Sequence, residues 1–165
     1  MNRPRHWMTT SLDNFAYTYK DIYTGFTVSY NANQNIFAAS SIKAPTDIYV
    51  YEMASLGKIN LDDALTYTAN YYNNGSGVLK SKPVNTNYTI RTLLEYSTVT
   101  SDNAAHNMLM DAYGRENMLR FWQEKGTTAY LPRQTIGEEL MLMLLPYTWK
   151  NYINFMPAMM NTGTL

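Results

Sequence analysis

The apolar positions of the chain form a strand-like pattern near its start and a helical pattern further along. Residues 15–31 read FAYTYKDIYTGFTVSYN and are rich in aromatic and β-branched side chains, which favour strands. This run is interrupted at Tyr23-Thr24-Gly25, where glycine permits a turn conformation that other residues avoid. The pattern predicts a β-hairpin.

Helical spacing follows the polar stretch 31–35. Apolar residues between 42 and 56 predict a helix that ends at Gly57, and Pro45 lies near its start, where a missing N–H costs least. Residues 60–63, Asn-Leu-Asp-Asp, are typical of a helix start, and residues 89–96 resume a helical pattern. The middle of the chain is therefore predicted to be mostly helical.

Further helices are predicted in the second half of the chain. One opens at Ser101-Asp102-Asn103 and ends at Gly114, and another covers residues 116–125. The apolar run EELMLMLL at 138–145 predicts a third, which Pro146 ends before a last amphipathic helix. Because no repeat or linker interrupts this order, we predict a frayed terminus over residues 1–14 and a single domain over residues 15–165.

Composition excludes several classes of function. The 165 residues are 45% hydrophobic, which suits a folded domain, and 13 basic side chains balance 13 acidic ones, so no basic face indicates nucleic acid or an anionic membrane. The absence of cysteine excludes disulfides and thiolate metal sites. We find neither a membrane-spanning run nor, in MNRPRHWMTTSLDNF, the apolar core of a signal peptide.

The first candidate for chemistry is Ser40-Ser41-Ile42-Lys43, which fits the pattern S-x-x-K. At a spacing of three on a helix, Ser40 and Lys43 share a face, so the amine can reach the hydroxyl, whereas Ser41 points elsewhere. A lysine can take the proton of a serine only if burial or nearby cations lower its pKa. The alternative for this motif alone is a solvated helix face.

The second candidate is Ser101-Asp102-Asn103. All three residue types are good N-caps, so the alternative interpretation is simply a helix start. The two motifs stand in order and about sixty residues apart, each in a helical setting, and together they are far more specific than either alone.

On these motifs the chain resembles the class A β-lactamases and penicillin-binding serine hydrolases. The resemblance runs from Asp21 to Lys125 and includes, in continuous register, SSIK, GKINLDD, GSGVL, YTIRTLLEY and SDNAAHNML. It implies a mixed α/β (α+β) fold of the β-lactamase/transpeptidase type, in which an antiparallel hairpin packs with a mainly helical lobe. The active site of such a fold lies between these parts.

The resemblance also implies the roles of the site residues. Ser40 would attack the carbonyl of a β-lactam or a D-alanyl cell-wall peptide, and its backbone N–H would donate to the oxyanion. Lys43 would accept the proton, Ser101 would relay a proton to the leaving nitrogen, and Asn103 would hold the substrate and Lys43. The family needs no cofactor for this reaction and works outside the cell or in its envelope, on a small-molecule substrate.

One element of the family is not found in the sequence. The third motif, Lys-Thr-Gly or Lys-Ser-Gly on a late strand, has its nearest match in 161–163, Asn-Thr-Gly, which lacks the cation and which we interpret as coincidence. Glu138 and Glu139 stand near the position of the residue that activates the deacylating water in class A enzymes, but we assign neither. We therefore expect a truncated chain without the C-terminal strands, of incomplete activity, in which an acyl-enzyme would persist.

Two alternatives remain open. A non-catalytic relative could use its aromatic surface to bind cell-wall peptide or a protein, with the serine motifs retained as inherited structure. A purely structural helical protein could use both motifs as helix caps. The histidines, His6 and His106, stand apart without acidic partners at ligand spacing, so we predict no metal site.

Overall fold

The computed structural model describes residues 16–21, 23–32 and 39–125. These ranges contain two separate two-stranded antiparallel sheets and four α-helices. In chain order the elements are β1 (Tyr17–Lys20), β2 (Thr27–Tyr30), α1 (Lys43–Ser55), β3 (Ala64–Tyr67), β4 (Thr86–Thr89), α2 (Ile90–Val99), α3 (Asn103–Tyr113) and α4 (Arg115–Glu124). Helices together with small antiparallel sheets confirm the predicted fold class.

The predicted hairpin is confirmed by the antiparallel pairing of β1 with β2. Its turn is held by Asp21, whose Oδ1 accepts from the backbone N–H of Tyr23 at 2.9 Å and of Thr24 at 2.8 Å. Gly25 adopts φ +75°, a left-handed conformation that glycine reaches without a Cβ penalty. All residues of both strands are exposed, including Tyr17 and Tyr30, whose rings stack at 6.3 Å.

The helix start predicted at residues 60–63 is wrong. There the Asp62 N–H donates to Asn60 Oδ1 at 3.1 Å and the Asp63 N–H to the Asn60 carbonyl at 3.1 Å, which forms a turn leading into β3. Asn and Asp stabilise turns and helix starts by the same kind of side-chain bond, so the local signal is ambiguous. Pairing of β3 with the distant β4 decides the outcome.

The helices predicted before residue 126 are confirmed. A 3₁₀ turn, Ala39–Ile42, runs directly into α1, and Gly57 follows the helix at φ +69°. The hydroxyl of Thr89 caps α2 by accepting from the Thr92 N–H at 3.2 Å. Gly114, at φ +82°, separates α3 from α4.

The core lies where the four helices meet and encloses the first turns of α1. On one side Tyr49 packs against Phe121 at 5.3 Å, and Phe121 meets Trp122 edge to face at 4.9 Å. The indole N–H of Trp122 donates to the Pro45 carbonyl at 3.2 Å and so ties α4 to the start of α1. The other buried apolar residues are Val50, Tyr67, Leu79, Ile90, Leu93, Leu94, Ala104, Ala105, Met108, Leu109, Met110 and Met118.

Several predictions lie outside the described residues. They are the frayed terminus at 1–14, the helices at 138–165, and the assignments of Glu138, Glu139 and residues 161–163. The division of the chain into domains also stays a prediction. Within the described ranges, no helix is long and apolar enough to cross a membrane.

Candidate active site

The first half of the site stands at the start of α1. Ser40 lies on the 3₁₀ turn and Lys43 is the first residue of the helix, with its Nζ donating to Ser40 Oγ at 3.0 Å. A 3₁₀ turn has three residues per turn, so it places residues i and i+3 above one another and keeps the predicted contact. The serine is exposed, whereas Lys43 is only 4% exposed. An accessible hydroxyl is thus backed by a buried amine.

The second half of the site is contributed by the segment between α2 and α3. Lys43 Nζ lies 3.0 Å from Ser101 Oγ, 2.9 Å from the Ser101 carbonyl oxygen and 2.8 Å from Asn103 Oδ1. Four residues picked from two separate motifs, Ser40, Lys43, Ser101 and Asn103, therefore meet around one amine. The opposite end of the Asn103 amide donates from Nδ2 to Asn73 Oδ1 at 3.2 Å, which orients the side chain.

Ser101 has an uncommon backbone conformation. Its φ of +52° falls in the left-handed region, which costs a non-glycine residue about 1 kcal/mol or more. The N–H groups of Thr100 and Asp102 on either side both donate to the Tyr96 carbonyl, at 3.2 and 3.0 Å, and hold the bend. The conformation allows the carbonyl and the hydroxyl of Ser101 to face the same amine.

Asp102 organises the surroundings of the site. It is 1% exposed, and its Oδ1 caps α3 by accepting from the N–H groups of Ala104 at 2.9 Å and Ala105 at 3.0 Å. Its Oδ2 accepts from Val78 at 2.6 Å and Leu79 at 2.7 Å, on the loop that precedes β4. The cap interpretation of this motif is therefore correct for Asp102, and the same cap places Ser101 and Asn103 beside Lys43.

Two glycines allow the loop to approach this closely. Gly77 has φ +119°, and a Cβ there would overlap the Asp102 side chain. A Cβ on Gly75 would lie 2.6 Å from Asn103 Nδ2, a distance that real Cβ atoms do not show. The segment GSG thus lets the backbone pass directly over Asp102 and Asn103.

The electrostatics favour the neutral form of two basic groups. Burial lowers the pKa of Lys43, although the nearby carboxylates of Asp102 and Asp47 oppose this shift. Burial also lowers the pKa of His106 to about 3, helped by the charges of Lys43 and Arg115. The imidazole of His106 is 4% exposed and its Nδ1 has no hydrogen-bond partner among the described residues, so it stands neutral behind the site.

The described residues contain no group of three or more His, Asp or Glu side chains placed to hold a metal ion. Sequence reasoning missed Asn73, which orients Asn103, and Asp47, which lies behind Lys43. Asp47 could have been noticed from its spacing of four after Lys43, which places both on one face of a helix. No local signal singles out Asn73 in its Tyr- and Asn-rich loop.

Comparison with solved structures supports the same arrangement of elements. A β-lactamase from Sphaerobacter thermophilus DSM 20745 superposes with TM-score 0.65 at 27% identity, covering 73% of this chain and 49% of that one. The structure of PBP-A gives TM-score 0.73 at 22% identity, covering 83% and 54%. An ancestral class A β-lactamase (GNCA) gives TM-score 0.65 at 25% identity, covering 73% and 46%.

The chain thus spans about half the length of these solved structures. Comparison with curated protein sequences gives no match. A model of the beta-lactamase enzyme family, however, matches residues 7–155, which is most of the chain. The chain therefore belongs to the beta-lactamase enzyme family.

Proposed function

We propose that this chain carries the acylating part of a serine hydrolase that acts on β-lactams or D-alanyl cell-wall peptides. Ser40 is the nucleophile, Lys43 the proton acceptor, Ser101 the proton relay and Asn103 the group that holds the substrate and Lys43. The observation that carries the proposal is the position of Lys43 Nζ, 3.0 Å from both Ser40 Oγ and Ser101 Oγ. One amine can thus exchange a proton with either hydroxyl.

The chemistry follows from these contacts. Ser40 Oγ attacks the carbonyl carbon of the substrate amide while its proton passes to Lys43 Nζ. Collapse of the tetrahedral intermediate breaks the C–N bond, and the leaving nitrogen takes a proton from Ser101 Oγ, which Lys43 replaces. A buried lysine with a lowered pKa suits this cycle because its neutral form is a proton acceptor near physiological pH.

The substrate class and the location of the reaction come from the family. PBP-A has been solved as an acyl-enzyme complex with penicillin G, and the other relatives named above are β-lactamases. A small-molecule substrate fits the balanced charge of the chain, which offers no basic face for nucleic acid. We place the activity outside the cell or in its envelope, where D-alanyl peptides are found.

Intact-protein mass spectrometry after incubation with penicillin G tests the proposal. We expect a mass increase equal to one penicillin on the parent chain and none on Ser40→Ala. Ser41→Ala is the matched control, because this neighbouring serine is also exposed and lies beyond the contacts of Lys43 Nζ given above, and it should retain the adduct. Circular dichroism of each sample shows that it is folded.

Two results would decide against acylation at this site. An adduct that survives in Ser40→Ala would move the nucleophile elsewhere. A folded parent chain that forms no adduct with penicillin G or with a D-alanyl-D-alanine thioester would leave the non-catalytic alternative, a relative that binds cell-wall peptide. Equilibrium binding of an unreactive D-alanyl-D-alanine peptide would then measure that function directly.

A further inference from the structure

A buried carboxyl lies behind the site on the same helix as Lys43. Asp47 follows Lys43 by one turn of α1 and is only 4% exposed. Its Oδ1 accepts from Ser97 Oγ at 3.1 Å and its Oδ2 from Thr98 Oγ1 at 2.6 Å. No cation forms an ion pair with it in the described part of the chain. A buried carboxyl answered only by hydroxyls is uncommon and asks for an explanation.

The two hydroxyls connect Asp47 to the other half of the site. Ser97 and Thr98 occupy the last turn of α2, which ends at Val99. Thr98 precedes Ser101 by three residues, so the chain passes from the tether directly into the bend that faces Lys43. Asp47 therefore joins the helix that carries Lys43 to the segment that carries Ser101.

The carboxyl also acts on Lys43 through its charge. Residues at i and i+4 lie on one helix face, and the Asp47 carboxylate raises the pKa of Lys43 against the lowering effect of burial. Burial raises the pKa of Asp47 itself to about 7, an effect that the hydroxyls of Thr98 and Ser97 and the charge of Lys43 oppose. From α3, Asp102 also favours the charged form of Lys43, and His106 faces the same amine in its neutral form.

We propose that Asp47 is a positioning residue for this site: it holds α1 against the segment before Ser101, and its charge sets how readily Lys43 releases its proton. The carboxyl touches neither Ser40 nor a substrate. Its effect on catalysis rests on the proposed function, but its effect on Lys43 does not. The two can therefore be measured separately.

The first experiment measures the titration of Lys43 in the absence of any substrate. Lysine carrying ¹³C at Cε is incorporated, the Lys43 signal is identified by its loss in Lys43→Arg, and chemical shift is followed against pH. Asp47→Asn keeps the tether, because hydroxyls can accept as well as donate, but removes the charge. We expect the pKa of Lys43 to fall, so that the fraction of neutral lysine at a given pH below that pKa rises about fivefold.

The matched control is Glu95→Gln, which removes an exposed carboxylate from α2 and should leave the Lys43 titration unchanged. An Asp47→Asn protein that is folded by circular dichroism but shows the parent titration would overturn the charge effect. If Asp47→Asn fails to fold, Thr98→Val supplies the test. Loss of its hydroxyl should raise the pKa of the Asp47 carboxyl, read from its own ¹³C signal, and an unchanged Asp47 titration would overturn the tether.

The second experiment follows the rate of penicillin adduct formation against pH. In Asp47→Asn the acid limb of the profile should move to lower pH by the same amount as the Lys43 titration. In Thr98→Val, at a pH where Asp47 is ionised, the rate should fall without a change in the Lys43 titration. A rate profile that stays at the parent position while Lys43 shifts would exclude a role for Asp47 in catalysis. Absence of any adduct in the parent would contradict only the proposed function.

Discussion

The hairpin β1–β2 and the helical junction around Lys43 differ in how their side chains are surrounded. In the hairpin the side chains are exposed on both faces, and Tyr19 is 57% exposed. In the junction Lys43 is 4% exposed and its amine has four oxygen atoms within 3.0 Å. The hairpin is specified locally, by its turn and strand-forming residues, whereas the junction is specified by buried polar groups that must find partners.

The difference has a consequence for substitutions. A buried polar group that loses its partner costs the full desolvation of that group, whereas an exposed side chain regains water when its contact is lost. We therefore expect large effects around Lys43 and Asp102 and small effects on the strands of the hairpin.

The largest effect is expected for Lys43→Met, which keeps a long unbranched side chain but removes the amine. The rate of penicillin adduct formation at Ser40 should fall by about 100-fold or more, the range typical for the loss of a general base. Time-resolved mass spectrometry measures this rate. Lys58→Met, which removes an exposed lysine after α1, should retain the parent rate. Equal rates in parent and Lys43→Met would exclude the lysine as the proton acceptor.

Next in size is Asp102→Ala, which leaves the N–H groups of Val78, Leu79, Ala104 and Ala105 without their carboxylate acceptor. We expect the free energy of unfolding to fall by about 3–5 kcal/mol. Urea denaturation followed by circular dichroism provides the measurement. Glu124→Ala, an exposed carboxylate on α4, should stay within about 0.5 kcal/mol of the parent.

Two glycines with positive φ allow the regions to be compared directly. Gly77→Ala combines an unfavourable φ of +119° with overlap on Asp102, and should cost about 2–4 kcal/mol of unfolding free energy. Gly25→Ala, in the hairpin turn at φ +75°, meets no atom within 4 Å and should cost only about 1 kcal/mol. Similar losses in the two variants would show that backbone conformation, and not the crowding at Asp102, dominates.

The junction should also show opposing pH dependences. His106 has a folded pKa of about 3 against 6.5 unfolded, so its contribution to stability falls as the pH drops through this window. Asp47 has a folded pKa of about 7 against 3.8, so its contribution rises as the pH drops from about 7 towards 4. Between pH 6.5 and 4 the two slopes oppose each other.

Removing either group should reveal the slope of the other. Relative to the parent, His106→Gln should gain stability on acidification, by about 1 kcal/mol for each pH unit between 6.5 and 4, and Asp47→Asn should lose it at a comparable rate. Urea unfolding at a series of pH values measures both slopes. Parallel curves for the three proteins would show that neither group has the folded pKa stated above.

The smallest effect is expected for Tyr19→Ser on β1. Because its ring is largely exposed, the free energy of unfolding should change by less than about 0.5 kcal/mol. Leu93→Ala, which truncates a side chain with no exposed surface, should cost about 2–5 kcal/mol in the same urea assay. A loss above about 2 kcal/mol for Tyr19→Ser would mean that the hairpin is held by contacts other than those described.

The sequence predicted elements well where the signal is local. Gly25 in the hairpin turn, Thr89 before α2 and Gly114 after α3 each mark a boundary through their own backbone or side-chain preference. It failed at residues 60–63, because pairing with β4 more than twenty residues later outweighs the helix-start signal. Strand pairing across such a distance leaves no trace in a short window.

The site could be predicted only in part. Ser40 and Lys43 follow from spacing on one turn, but their meeting with Ser101 depends on a left-handed bend and on a carboxylate that binds two segments at once. Motif order indicated that the two halves belong together and gave no geometry. Asp47 and Asn73 act through contacts with residues 30 or more positions away, which periodicity cannot show.

The four oxygens around Lys43 Nζ also determine what a neutral lysine would do there. An ammonium has three hydrogens to share among them, and a neutral amine has two hydrogens and one lone pair. The Ser101 carbonyl and Asn103 Oδ1 can only accept, so they take the two hydrogens. The lone pair is then left facing the hydroxyls of Ser40 and Ser101, which can donate. Loss of one proton therefore converts the same cage, without any movement of heavy atoms, from one that holds a cation to one that receives a hydrogen from serine.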